Sequence, residues 1–269
     1  MEMMIMQSTT NQERFDFASN LIIEAGDLAL QYFANLAELS IMSKGARDMV
    51  SEADFAVEEL IKKRLLAAYP DDAYLGEETG HVTGSDDSGI WVVDPIDGTQ
   101  PFISGLRTWC ISIAYVEANQ VLVGMVNNPA AGELFSGGVG RTAELNGRPI
   151  TPREPQSLAD GLTYLGCNPR LRPEQVVPVL DRLLQAGGMF VRNGSGALGL
   201  CDVACGRLIG YVEAHINSWD CLGGIAVCRS AGARVNDYLS DNALLHGGHI
   251  VAGSPQVFDQ LVTVLGEAS

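Results

Sequence analysis

The sequence predicts an α/β fold, because two long amphipathic helical patterns precede a run of short antiparallel strands, and strand-like and helical segments then alternate to the C-terminus. That alternation suits a three-layer or five-layer arrangement. At 269 residues and 46% hydrophobic, the chain can bury a large core as one domain or as two tightly packed halves. The first helix is expected over 10–35, where Phe15, Ala18, Leu21, Ile22, Ala25, Leu28, Ala29, Tyr32 and Phe33 trace one face. A second helix follows, with Ser51 as N-cap and Asp54 as its N3 acid, and ends near Tyr69 before Pro70. Tyr74 and Leu75 lead into Gly76, Glu77 and Glu78 as a short strand, and Ile90 to Val93 read as a buried strand that stops before Pro95.

Antiparallel strands are expected over 108–116, 120–127 and 132–137, with a tight Asn146-Gly147 turn after them. The Pro-rich stretch from Thr151 to Pro155 marks a boundary between an N-terminal half, 1–150, and a C-terminal half, 151–269. Beyond it, helices are expected over 173–185, 197–205, 219–231 and 255–265, with Ser218 capping the third and Asp220 in its first turn. Two loops, 43–47 and 81–89, are rich in small residues.

Composition narrows the function classes. A net charge of −16 argues against nucleic acid or an anionic membrane as a partner, since both need a basic footprint. No apolar run reaches a membrane span, and Met3 to Met6 is too short for a signal-peptide core, so the cytoplasm is the expected compartment. The six cysteines lack a Cys-x-x-Cys pair and read as buried reduced thiols. His81, His215, His246 and His249 are scattered, so hard carboxylate and carbonyl oxygens favour Mg²⁺ or Mn²⁺ over zinc.

The chemistry concentrates in Asp94-Pro95-Ile96-Asp97-Gly98-Thr99. An apolar strand delivers two carboxylates and a hydroxyl onto one turn, and Pro95 forces Asp94 into an extended conformation. Taken alone, Asp97 could cap whatever follows, Thr99 could be a plain N-cap hydroxyl, and Asp220 could simply complement a helix dipole. Taken together, the Gly-Glu-Glu, Asp-Pro-Ile-Asp-Gly-Thr and Trp219-Asp220 segments resemble the inositol monophosphatase family of magnesium-dependent, lithium-sensitive phosphatases, from about Phe15 to about Gly253.

That resemblance implies alternating α-β-α-β-α layers, a homodimer, and two to three Mg²⁺ ions per subunit, with Mn²⁺ as a possible substitute. Its ligand set would be Glu77, Asp94, the Ile96 carbonyl, Asp97 and Asp220, with Asp94 shared by two ions roughly 3.5 to 4 Å apart. Thr99, linked to Asp54 or Glu77, would orient or accept the proton of an attacking water. Gly98 and Thr99 N–H groups would hold phosphate oxygens, Asp97 would also touch substrate, Gly196 and Ala197 would let the backbone approach a hydroxyl, and Glu213 would accept hydrogen bonds from a polyol or sugar. Lys44 would lie on a loop over the site, with Asp48 orienting it. A strongly acidic protein repels a phosphate ester unless cations intervene, which fits this scheme.

Gln100-Pro101-Phe102 and Gly199 depart from the family pattern near the substrate, not at the ligands. They leave the alcohol open: inositol 1-phosphate leads, and a sugar phosphate, fructose 1,6-bisphosphate, histidinol phosphate or an adenosine 3',5'-bisphosphate stay in play. Gly194 to Gly199, after a strand-like 189–192 and with Glu213 downstream, also mimics a dinucleotide fingerprint, so an NAD(P)-dependent oxidoreductase is the alternative. Too little chain follows it for a full doubly wound fold. A regulatory, protein-binding role is the third class.

Overall fold

The computed structural model describes residues 2–45, 48–85 and 88–266, with side chains from residue 11 onward except at 44, 45 and 48. In chain order, α1 (Glu2–Phe33) leads to a hairpin of β1 (Ile41–Gly45) and β2 (Asp48–Ser51), then α2 (Glu52–Ala68). There follow β3 (Ala73–Gly76), β4 (Gly80–Val82), β5 (Ile90–Asp97), the short α3 (Thr99–Ile103), β6 (Cys110–Glu117), β7 (Gln120–Asn128), β8 (Glu133–Gly138), β9 (Glu144–Leu145) and β10 (Arg148–Pro149). The second half holds β11 (Leu162–Leu165), α4 (Pro173–Gln185), β12 (Met189–Val191), α5 (Gly196–Ala204), β13 (Gly210–Ile216), α6 (Leu222–Ala231), β14 (Arg234–Val235), α7 (Ala243–His246), β15 (Gly248–Gly253) and α8 (Phe258–Leu265).

These elements form the five expected layers. Strands β10-β9-β8-β7-β6-β5-β3-β4 make one sheet and β12-β11-β13-β15-β14 a second. Helices α1 and α2 cover the outer face of the first sheet, burying Leu21, Ile61 and Trp91 in one cluster. Helices α4 and α8 cover the outer face of the second, around Leu183, Val212 and Leu261. Between the sheets lie α5 and α6, whose core joins Val92 and Ala114 to Leu200, Val227 and Ile250. A helix sandwiched between two sheets must be apolar on every side, and α6 is buried along nearly its whole length. Its glycines permit the approach: a Cβ on Gly223 would lie 3.0 Å from Met125 O.

Several expectations needed correction. Helix α1 starts well before residue 10, while α6 and α8 start three residues later than expected. Asp220 therefore precedes α6 instead of occupying its first turn, and Cys221 is the N-cap. Ser218 Oγ donates to the distant Leu244 O, while the Ser218 carbonyl accepts from Cys221 N and Leu222 N in a turn ahead of the helix. Strand β5 continues through Pro95, which the register shift between Asp94 and Asp97 accommodates. The two small-residue loops are in part strands: β1 takes in 43–45, and β4 takes in His81 and Val82. The cysteines are all free, but Cys167 and Cys205 are only partly buried.

Candidate active site

Strand pairing builds the site. Strand β3 runs parallel to β5 with Gly76 opposite Val93, and Glu77 N donates to Val93 O at 3.2 Å, so Glu77 leaves its strand beside Asp94. On the other edge of β5, Asp94 pairs with Ser112 and Asp97 with Cys110. Three steps along β5 thus match two along β6. Positions i and i+3 of a regular strand face opposite ways, and one inserted residue returns them to the same side. The Pro95-Ile96 bulge is what lets both aspartates serve one cavity.

That cavity, about 680 Å³, lies where β5 and α3 meet the ends of β11, β12 and β13, and is lined by Glu77, Asp94, Ile96, Asp97, Gly98 and Thr99 from the first half and Gly196, Glu213 and Asp220 from the second. Carboxylate oxygens of Glu77, Asp94 and Asp220 lie within 4.8 Å of one another. Asp94 Oδ1 accepts from Ile96 N at 3.0 Å, while its Oδ2 is buried with no hydrogen-bond partner among the described residues. Burial, then the fields of Glu77, Asp97 and Asp220, push Asp94 well above the usual carboxylate range. Like charges this close persist only with shared protons or cations between them. An orphaned carboxylate oxygen in an all-oxygen donor set fits Mg²⁺.

Asp97 stands apart from that trio. Its Oδ2 accepts from Ser195 Oγ at 2.6 Å and Ala197 N at 2.7 Å, and its Oδ1 from Gly196 N at 3.3 Å. Burial and Asp220 raise it to about 7, against the pull of these donors. Sequence reasoning assigned the Gly196 and Ala197 backbone to substrate; in the structure their N–H groups are donated to Asp97, and Ala197 is fully buried. The dinucleotide-like turn is real as strand, turn and helix, but Asp97 sits at the donors a pyrophosphate would need.

Thr99 Oγ1 donates to Asp54 Oδ1 at 3.2 Å, with Ile96 O also 3.3 Å away. Asp54 is fixed in turn, since its Oδ2 accepts from Ser51 N at 2.9 Å and Ser51 Oγ at 2.6 Å. Burial raises its pKa despite the Ser51 and Thr99 bonds. Gly98 needs no side chain: its φ is +97° and a Cβ would lie 3.0 Å from Thr108 O. Lys44 and Asp48 belong to the β1–β2 hairpin, whose Met49 lines the cavity, but their side chains lie outside those described.

At the far wall Glu213 is buried, with Oε2 accepting from Tyr211 OH at 2.5 Å and Oε1 from Asn168 Nδ2 at 3.0 Å. Burial lifts it to about 7, with those two donors opposing. The Tyr211 ring stacks on Tyr164 at 4.7 Å and 3°. Arg170 Nη2 lies 3.6 Å from Asp220 Oδ2. Sequence reasoning missed Tyr164, Asn168, Arg170, Ser195 and Tyr211; of these only Ser195 carried a local signal, a serine just ahead of an apolar helical run.

The sequence model of the inositol monophosphatase family matches residues 10–268. The chain belongs to this family. Family members are in general Mg²⁺-dependent and act on phosphorylated substrates, and the acidic cluster is a candidate site for the metal. Among relatives, the Nus factor SuhB of Haemophilus influenzae is 34% identical over 244 residues, covering 89% of this chain and 90% of that one. The inositol-1-monophosphatase of Mesorhizobium japonicum is 34% identical over 237 residues, covering 86% and 88%. The crystal structure of the extragenic suppressor protein suhB from Bartonella henselae superposes with a TM-score of 0.87 at 28% identity, covering 95% of this chain and 99% of that one.

Proposed function

We propose that this protein is a Mg²⁺-dependent phosphate monoester hydrolase, with inositol 1-phosphate as its leading substrate and water as the direct nucleophile. The observation that carries the reading is the convergence of Glu77, Asp94 and Asp220 on one buried, unsatisfied oxygen, beside a positioned threonine. Glu77, Asp94 and the Ile96 carbonyl would hold one ion, and Asp94, Asp97 and Asp220 a second, for two or three in all. Bound Mg²⁺ neutralises phosphoryl and leaving-alcohol oxygens and acidifies water.

The chain's own groups supply the rest. Thr99 Oγ1 donates to Asp54, so as it takes up the proton of an attacking water its own hydroxyl proton would pass to the Asp54 carboxylate and the threonine stays neutral. Asp54, held by Ser51, keeps that hydroxyl in one rotamer. Gly98 and Thr99 N–H groups would grip phosphate oxygens. Glu213, Gly196 and Asp97 would meet hydroxyls of the leaving alcohol, with Glu213 deciding between alcohols. Cys110 Sγ lies 3.8 Å from Asp97 Oδ2, but burial pushes its thiol well above the usual range, so it stays protonated and water is preferred as the nucleophile.

The reading includes a cytoplasmic location; no described helix is long and apolar enough to cross a membrane. Exposed Met189 and Phe190 on the edge strand β12, with exposed Leu162 beside them on β11, support a homodimer. Equal identity to a Nus factor SuhB favours a second reading, a role exercised through a partner alongside catalysis. The test is phosphate release from a panel of monoesters with Mg²⁺, Mn²⁺ and added Li⁺. Release that needs the divalent ion, is inhibited by Li⁺ and is fastest on inositol 1-phosphate supports the reading. No release from any ester, with NAD(P) bound instead, would overturn it.

A further inference from the structure

One face of α2 carries Asp54, Glu58 and Lys62 at intervals of four, so the three side chains stack along one side of the helix. Asp54 meets Thr99. One turn on, Glu58 is completely buried, and its carboxylate takes three hydrogen bonds from the turn that follows β3. Glu78 N donates to Oε2 at 2.7 Å, Thr79 N to Oε1 at 2.9 Å, and Thr79 Oγ1 also to Oε1. Lys62 Nζ, another turn on, donates to Thr79 Oγ1 at 2.9 Å and closes the group from outside. The backbone makes room for the carboxylate: a Cβ on Gly76 would lie 2.2 Å from Glu58 Oε1. Glu77 is thus flanked by a residue that must be glycine to admit Glu58 and by two residues whose N–H groups Glu58 holds.

A buried carboxylate that faces only polypeptide N–H and O–H groups is an expensive way to hold a turn, since an apolar residue can fill the same space without desolvating a charge. Its return is geometric accuracy, because a planar acceptor with both oxygens engaged fixes a turn in position and in rotation. Glu77, one peptide from those N–H groups, is the sole member of the acidic trio that leaves its strand without a bulge or a helix behind it. We infer that Glu58 is a positioning residue for Glu77: it fixes the turn after β3 so that the Glu77 carboxylate stands beside Asp94 and Asp220, and thereby sets the affinity of the cluster for a divalent cation. The inference rests on the reading of Glu77 as a metal ligand.

Calorimetric titration of the metal-free protein with Mg²⁺, together with melting in EDTA, tests it on the wild type, Glu58→Gln, Thr79→Val and Glu77→Gln. Glu58→Gln keeps the shape and one acceptor oxygen but turns an NH₂ toward the turn's donors. It should fold cooperatively and bind Mg²⁺ about 10- to 100-fold more weakly, the usual cost of losing a group that orients a ligand. Phosphate release should return when Mg²⁺ is raised, with KM for the ester within twofold of wild type. Thr79→Val removes the hydroxyl bond to Glu58 and the one accepted from Lys62 but leaves both N–H bonds, and should shift Mg²⁺ affinity less than Glu58→Gln does. A folded Glu58→Gln with wild-type Mg²⁺ affinity, alongside a Glu77→Gln that has lost binding, would overturn the positioning role. Wild-type affinity in Glu77→Gln would overturn the ligand assignment itself, and with it the inference. Should Glu58→Gln fail to fold, Gly76→Ala is the substitute, since its new Cβ displaces the carboxylate without removing it; unchanged Mg²⁺ affinity there would equally overturn the role.

Discussion

Ser195 and Asp97 lie 98 positions apart in the chain, and the 2.6 Å bond from Ser195 Oγ to Asp97 Oδ2 fastens the bulge of β5 to the first turn of α5. Ser195 does two jobs there. It donates to the carboxylate, and it accepts from Leu198 N as the N-cap of α5. Asp97 also draws the Gly196 and Ala197 N–H groups, so the anion sits on a helix N-terminus that favours negative charge. The two halves of the sequence therefore meet at the site through a capped helix.

Ser195→Ala removes both bonds at once. A hydrogen bond to a charged group contributes about 1.5–3 kcal/mol and a lost N-cap costs about 1 kcal/mol. Urea denaturation of the metal-free protein should show a loss of about 2.5–4 kcal/mol. Ser195→Thr should recover most of it. A loss below half a kcal/mol in Ser195→Ala would mean that the two N–H bonds hold Asp97 alone.

Asp94→Asn tests the cluster from its centre. Replacing one of three converging carboxylates by an amide relieves like-charge repulsion in the metal-free protein while removing a ligand charge. The expected result is a higher melting temperature in EDTA, little further rise on adding Mg²⁺, and at least a 100-fold loss of phosphate release. A mutant that melts lower in EDTA, or that keeps wild-type turnover, would contradict the assignment of Asp94 as a shared ligand.

How much of this was legible beforehand depended on how local each signal was. The Ser51-Asp54 cap and helix α4 were written in adjacent residues, and the structure has α4 over the very span that the sequence indicated, whereas Asp94 to Asp97 read as a turn and is the bulged end of β5. The parallel pairing of β3 with β5, which sets Glu77 beside Asp94, was not, because strand direction depends on the connection between strands and not on their residues. The same holds for Tyr164, Asn168 and Tyr211. They converge on Glu213 only after β11 and β13 pair, and a tyrosine in a strand pattern looks like any core aromatic. Asp220 was misplaced by a helical turn, and the bond from Ser218 to the distant Leu244 is one that no local pattern reveals.

The acid cluster also fixes how stability depends on pH. Asp97 titrates near 7 in the folded protein, above the usual carboxylate range, and Asp94 shifts in the same direction. Between about pH 4 and 7 the metal-free native state therefore holds protons that the unfolded chain has released. Stability from these groups is greatest below that window and falls as pH rises through it. Cation binding needs the deprotonated ligands, so the gain from Mg²⁺ should run the opposite way. Melting curves from pH 5.5 to 8 should show the EDTA-treated protein losing stability toward pH 7.5 and the Mg²⁺-induced rise in melting temperature growing over the same span. An increment from Mg²⁺ that is constant with pH would count against the cluster as the binding site.

Glu213 governs the choice of alcohol in this reading, and its ionisation offers a way to see that separately from the metal. The side chain titrates near 7 because burial raises it, while Tyr211 and Asn168 donate to the ionised form and limit the rise. Above pH 7 it can accept two hydroxyl bonds from a ring polyol; below pH 7 one oxygen carries a proton and that capacity falls. The metal cluster titrates too, but it acts on every phosphate ester alike. The ratio of kcat/KM for inositol 1-phosphate to that for a small aryl phosphate cancels the shared part, and should drop as pH falls from 8 to 6. Glu213→Gln should lower the ratio at pH 8 by about 1–3 kcal/mol, roughly 5- to 150-fold, and flatten its pH dependence. Turnover of the aryl ester should barely change. Equal losses on both substrates, with weaker Mg²⁺ dependence, would place Glu213 among the groups that serve the metal; a ratio indifferent to the mutation would make it a buried strand acid that Tyr211 and Asn168 merely satisfy.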